Sequence, residues 1–251
     1  MKKGITLVSI NVERRKHLEL VEKFLAAQKP DIVCLQEVTD ADIRRFAATL
    51  NAKEPLFTPM TREIEGDGSE VIQGLGIVSR LPIANSQRHY YAGEASRLPD
   101  TISGRPETFT NQNRLLMFAD IDGGAEMFRI GTTHFTWSPG GAATDLQRSD
   151  MKTLLAILAG AGECVLAGDL NAPRGGEIFG MLAEKYKDNI PAGYKTSLDI
   201  SLHRAGKLRP DELKNKVVDG IFSTPEYIVS DVRLESGVSD HMAVIATVNR
   251  P

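Results

Sequence analysis

The sequence predicts a mixed α/β (α+β) fold with substantial antiparallel content, and three features carry that reading. Apolar runs of strand length alternate with helical patterns across residues 5–50. Runs of strand type then follow one another from residue 70 to residue 135, and three more occupy the last part of the chain. Strands alternating with helices call for a sheet with helices laid against it, and successive strands joined by tight turns pair antiparallel.

Taken in order, residues 5–12 (ITLVSINV) read as a first strand, and across 17–27 the residues Leu18, Val21, Phe24 and Leu25 recur at helical spacing. Lys29-Pro30 ends that helix, because proline pushes the residue before it out of the helical region. Residues 31–37 give a second strand and 40–50 a second helix, with Thr39 or Asp40 as its N-cap. Strands follow at 71–79, 114–121 and 128–135, the last two joined by a hairpin turn at Asp122-Gly123-Gly124. A helix at 146–158, a strand at 165–167 and a short helix at 177–184 come next, then strands at 217–222, 228–234 and 243–248. Residues 84–113 show no periodicity and read as one long connection, a kind of segment that is often functional. Residues 201–216 (SLHRAGKLRPDELKNK) carry five Lys or Arg against two acids.

A chain of 251 residues, 41% hydrophobic and 25% charged, is long enough for one large domain with a sizeable core. Its net charge of -3 argues against coating nucleic acid or membrane by bulk electrostatics, so a polyanionic substrate needs a local cationic patch. Cys34 and Cys164 each sit in or beside an apolar run and read as buried thiols rather than a disulfide framework or a zinc site. Lys2 and Lys3 precede only a short, interrupted apolar run, which reads as a strand and not a secretory signal. No segment approaches the ~18 apolar residues of a membrane span. The expectation is a soluble, cytoplasmic protein.

Polar residues gather where the predicted strands end. SINVE supplies Asn11 and Glu13, LQEV supplies Glu37, TTHF supplies His134, and GDLN supplies Asp169 and Asn171. Asp219 interrupts the apolar VVDGIF, and Asp240-His241 stand just before the last strand. In extended chain, residues two apart face the same way, so Asn11 pairs with Glu13 and Asp169 with Asn171, while Val12 and Leu170 point into the core. Such groups are costly in apolar surroundings unless they are paired or metal-bound. Repetition of that cost at six strand ends points to one shared site. Most are open to a blander reading: a solvated strand end for Asn11 and Glu13, a lead into the Asp40 helix for Glu37, hydrogen-bonded core histidines for His134 and His241. His17, His89 and His203 are read as hydrogen-bonded core histidines of that kind.

SINVE, LQEV, TTHF, GDLN, VVDGIF and SDH, in that order from residue 9 to residue 241, resemble the motif series of the endonuclease/exonuclease/phosphatase superfamily. The resemblance implies a four-layer α/β/β/α sandwich of two packed mixed sheets, with a divalent-metal phosphodiesterase site at one edge. It implies Glu37 as the main metal ligand, Asn11 and Glu13 at first-strand metal positions and Asp240 as a further metal contact. Asp169 then orients or deprotonates the attacking water, and Asn171 holds the water or a phosphate oxygen. His241 donates to the phosphate with Asp219 fixing its tautomer, and His134 serves as acid for the leaving oxygen. An oxygen-rich ligand set without a cysteine or histidine cluster suits Mg²⁺ or Mn²⁺.

Arg114, Trp137, Arg204 and Lys207 are candidates for substrate binding: an aromatic that stacks, and cations that guide a phosphate backbone. Nucleic acid is the first expectation for the substrate, with a phospholipid, phosphoinositide or small phosphoester as the alternative. Val38-Thr39 and NKVVDG depart from the abasic-endonuclease pattern. A dinucleotide site at Gly74-Leu75-Gly76 fails because strand-like Ile77-Val78 follows where a helix is needed. A non-catalytic module is disfavoured because Glu37, Asp169, Asn171, Asp240 and His241 are all present.

Overall fold

The computed structural model describes residues 4–251, so Lys2 and Lys3 lie outside the described residues. In chain order the elements are β1 (Ile5–Asn11), α1 (Leu18–Gln28), β2 (Ile32–Val38), α2 (Asp40–Thr49), β3 (Leu56–Ile64), β4 (Glu70–Ser79), β5 (Ile83–Ala92), β6 (Asp100–Ile102), β7 (Arg114–Asp122) and β8 (Met127–His134). They continue with α3 (Asp145–Ala161), β9 (Val165–Asp169), α4 (Glu177–Ala183), β10 (Lys187–Asp188), α5 (Pro210–Leu213), β11 (Asp219–Ser223), β12 (Ile228–Glu235) and β13 (Ala243–Asn249). One sheet has seven strands in the order β12-β13-β1-β2-β4-β3-β6, the other six in the order β10-β11-β9-β8-β7-β5.

Three clusters of buried side chains define four layers. Leu7, Ile32, Cys34, Leu75 and Ile77 of the first sheet pack against Leu115, Met117, Ile130, Ala167 and Ile221 of the second. The alternate residues Val8, Ile10, Val33 and Leu35 face outward and are covered by Val21, Phe24 and Leu25 of α1 and Ile43 and Phe46 of α2. On the far side, Leu116, Phe118, Leu166 and Phe222 are covered by Met151, Leu154 and Leu158 of α3 and by Phe179 and Leu182 of α4. The central strands are thus apolar on both faces, which is why they appear in the sequence as unbroken runs.

Two regions differ from the sequence expectation. β3 lies in a stretch assigned no element, because Pro59 interrupts LFTPMTREI; the proline sits at an irregularity in the pairing with β4, between Pro59 and Thr61, where its missing N–H is tolerated. Residues 84–113 are not one connection: nearly all of β5 falls there, antiparallel to β7, and β6 runs parallel to β3. β5 is the edge strand of its sheet and is mostly half-buried or exposed, so it lacks the apolar alternation that marks a covered strand.

Register then builds the site. Asp219 of β11 pairs with Asp169 of β9, and Asp169 pairs with His134 of β8, placing three functional residues in one row across three strands. Asn11 of β1 and Gln36 of β2 form the corresponding row in the first sheet. The rows meet where the sheets face each other: Asn11 Nδ2 donates to Asp169 Oδ2 at 3.1 Å, and Gln36 Nε2 donates to Thr132 Oγ1 at 3.0 Å.

Candidate active site

A pocket of about 140 Å³ opens over this row, and all but two of the residues expected at a site line it. The exceptions are Asp219, which lies behind His241, and Lys207, which is exposed outside the pocket; Arg114 lines the pocket although it is only 2% exposed.

Asp169 is the centre of the arrangement. The residue is 1% exposed, and Oδ1 accepts the Asn171 backbone N–H at 2.7 Å. Oδ2 lies 3.5 Å from His134 Nε2 and 3.8 Å from His241 Nε2. Burial pushes its pKa up to about 6, with Asp219 adding to the rise and His241, Asn171 and Asn11 opposing it. Asn171 does not continue the strand pleat as expected. Its φ of 49° puts it in a left-handed turn, a conformation asparagine tolerates, and Nδ2 donates to the Phe135 carbonyl at 2.9 Å. Leu170 is buried against the α3 and α4 layer, as expected.

The two histidines are held in opposite charge states. His241 Nδ1 lies 2.9 Å from Asp219 Oδ2. Burial alone disfavours the imidazolium, but Asp219 and Asp169 outweigh it and hold the His241 pKa well above the ordinary value. Ser197 Oγ fixes this pair from behind by accepting the backbone N–H of Asp219 at 3.1 Å. His134 is pushed well below the ordinary value, first by burial and then by the charges of Arg114 and His241, so it stands neutral. Arg114, expected to meet substrate, instead donates to the carbonyls of His134 at 3.0 Å and Phe109 at 3.4 Å, and so braces the pocket floor.

Carboxylates converge on the opposite wall. Asp240 is 6% exposed, and its pKa rises to about 7, first through burial, with Glu13 and Glu37 adding to the rise and His241 opposing it. Ligand-capable atoms of Glu13, His17 and Asp240 lie within 4.8 Å of one another. Glu37 accepts from Asn11 Nδ2 at 3.3 Å. Three crowded carboxylates form an oxygen-rich donor set that fits a hard divalent cation. Glu13 also departs from the strand pleat. At φ 43° it turns back so that its N–H donates to Asn11 Oδ1 at 3.0 Å, and its carboxylate bonds Lys16 and His17. Glu37 and Arg14 are also left-handed, at φ 54° and 60°. Such strain in non-glycine residues clusters at functional sites.

Trp137 is half-buried on the rim, with Phe109 edge-on to it at 5.6 Å, and Arg204 is exposed beside His203. Five polar pocket residues escaped the sequence reading: Arg14, Glu63, Gln73, Gln112 and His203. Gln73 gave a signal, an amide inside the apolar run VIQGLG; the others had none beyond being polar.

Fold and site together define a metal-assisted hydrolase carried on two packed sheets. The sequence profile of the Endonuclease/Exonuclease/phosphatase family matches residues 8–241, and the chain belongs to that family. It is accordingly a hydrolase acting on phosphoester bonds, with Mg²⁺ as its cofactor. No curated protein matches the chain in sequence. Among solved structures it is similar to an endonuclease/exonuclease/phosphatase from Bacteroides vulgatus, at 17% identity and TM-score 0.72, covering 100% of both chains. It is also similar to the mannosyl-6-phosphatase of Bacteroides thetaiotaomicron, at 12% identity and TM-score 0.68, covering 98% of this chain and 100% of the other. A Staphylococcus aureus beta toxin variant with bound magnesium ions shares 16% identity and a TM-score of 0.66, over 97% of this chain and 99% of the toxin. These likenesses establish the four-layer fold. Among the described residues, no helix is long and apolar enough to cross a membrane.

Proposed function

We propose that Asp169 prepares a water for in-line attack on the phosphorus of a phosphoester bound in the pocket. The observation that carries this is the environment of Asp169: a buried carboxylate whose pKa of about 6 suits a base near neutral pH, flanked by one charged and one neutral histidine. Glu37 and Asp240, with Glu13 and Asn11 beside them, are the residues that would hold Mg²⁺ or Mn²⁺. When bound, the ion supplies positive charge to the phosphoryl oxygens. Asp169 takes the proton of the water, and Asn171 keeps the Asp169 carboxylate aimed through its backbone N–H. His241, charged and backed by Asp219, donates to a phosphoryl oxygen as charge develops there. His134 is neutral and so serves the leaving oxygen by a hydrogen bond rather than as a strong acid.

The pocket volume supports a compact phosphoester, since it falls below the roughly 300–1,000 Å³ of sites for drug-sized ligands. The polynucleotide expected from the sequence is the second reading, favoured by the Trp137–Phe109 edge and by Arg204 on the rim. A cytoplasmic location belongs to the same proposal, supported by the buried free thiols of Cys34 and Cys164. The test is Mg²⁺-dependent hydrolysis of aryl phosphomonoesters and phosphodiesters beside end-labelled single- and double-stranded oligonucleotides. Faster cleavage of the small esters supports the first reading, and efficient strand cleavage supports the second.

A further inference from the structure

We propose that Arg14, Glu63 and Gln73 form a subsite that binds neighbouring hydroxyl groups on the alcohol part of a polyol phosphoester. The inference rests on the phosphoesterase reading above and names its substrate class. Glu63 of β3 and Gln73 of β4 are diagonal neighbours across that strand pair, Glu63 opposite Val71 and Gln73 opposite Thr61 just beyond the irregularity, and both line the catalytic pocket. They are 3% and 5% exposed, unusually deep for a carboxylate and an amide that belong neither to the core nor to the catalytic row.

Their bonding leaves a specific vacancy for a donor. Gln73 Nε2 donates to Glu63 Oε2 at 2.8 Å, while Glu63 Oε1 pairs with the Arg14 guanidinium. Gln73 Oε1, the remaining acceptor, is buried and has no hydrogen-bond partner among the described residues. A buried acceptor left unpaired is unfavourable, and a hydroxyl group on a bound molecule would satisfy it. Arg14 is drawn into the same wall by its left-handed backbone, whose N–H donates to the Glu37 carbonyl at 3.1 Å. A guanidinium donor beside carboxylate and amide acceptors matches adjacent hydroxyls, each of which both donates and accepts. A second phosphate does not suit this wall, because Glu63 is there and Glu65 lies 3.8 Å from the guanidinium. The Phe109–Trp137 pair in the same pocket offers an apolar surface for the carbon skeleton of such an alcohol.

The test compares the Mg²⁺-loaded full chain on a hexose 6-phosphate and on p-nitrophenyl phosphate, and likewise on glycerophosphoinositol and bis(p-nitrophenyl) phosphate. The polyol ester is expected to have the higher kcat/KM within a pair, and the pair that shows it separates a soluble sugar phosphate from a lipid headgroup. In Gln73→Met and Glu63→Gln the polyol-to-aryl ratio of kcat/KM should fall at least about tenfold, mainly through KM. Free polyol should also inhibit wild-type aryl-ester hydrolysis competitively, a readout that needs no variant to fold. A ratio unchanged in both variants, or no inhibition by the polyol, overturns the subsite and reduces Glu63 and Gln73 to supports for Arg14. A wild type that prefers a base-bearing phosphoester or an oligonucleotide overturns it as well. A wild type inactive on every ester defeats the phosphoesterase reading itself.

Discussion

At the residue scale, the environment of each side chain and not its identity separates the roles. His134 and His241 face the same Asp169 oxygen, yet Asp219 stands behind one and Arg114 behind the other. Asp219→Asn removes the charge that keeps His241 protonated, so the His241 pKa should fall and its acid form be lost at lower pH. A pH–rate profile is expected to show the basic limb displaced downward, with kcat reduced about 10²–10⁴-fold. The acidic limb of the wild type should lie near pH 6, where Asp169 gains its charge as pH rises. Most of these residues were legible in the sequence because polar groups interrupted apolar runs. Their charge states were not, since they depend on burial and on neighbours that only the fold brings together, such as Asp219 beside His241 and Asn11 beside Asp169. Nor was the left-handed turn at Glu13 legible, or the bracing role of Arg114.

At the element scale, strand register decides which residues meet. A Cβ placed on Gly168 would lie 2.0 Å from the Thr133 carbonyl oxygen of the neighbouring strand, one residue before the Asp169–His134 pair. Gly168→Ala should therefore destabilise the fold by about 1–3 kcal/mol and shift Asp169, read as a lower Tm together with a loss of kcat. The covered strands β1, β2, β7 and β9 could be read from their apolar runs, and helix α2 from its cap, since Thr39 Oγ1 accepts the Asp42 N–H at 3.2 Å. β3 and β5 could not: one carries a proline at a pairing irregularity, and the other pairs on one side only and stays partly solvated.

At the scale of the whole molecule, two sheets with a common core each bring half of the site. Asn11, Glu13, Glu37 and Asp240 come from the first sheet and its loops, and His134, Asp169 and Asp219 from the second. A bound divalent ion would relieve the crowding of Asp240 with Glu13 and Glu37, and stability should rise with it. Scanning calorimetry is expected to show a higher Tm in Mg²⁺, corresponding to about 2.7 kcal/mol at a hundredfold excess over Kd, with a smaller gain in Asp240→Asn. The most direct test of the central claim is hydrolysis of bis(p-nitrophenyl) phosphate by the wild type and by Asp169→Asn, with Mg²⁺ and with EDTA. Turnover that requires Mg²⁺ and falls at least about 10³-fold in a folded Asp169→Asn protein is the predicted result. Turnover that survives chelation, or that Asp169→Asn leaves intact, would contradict the account.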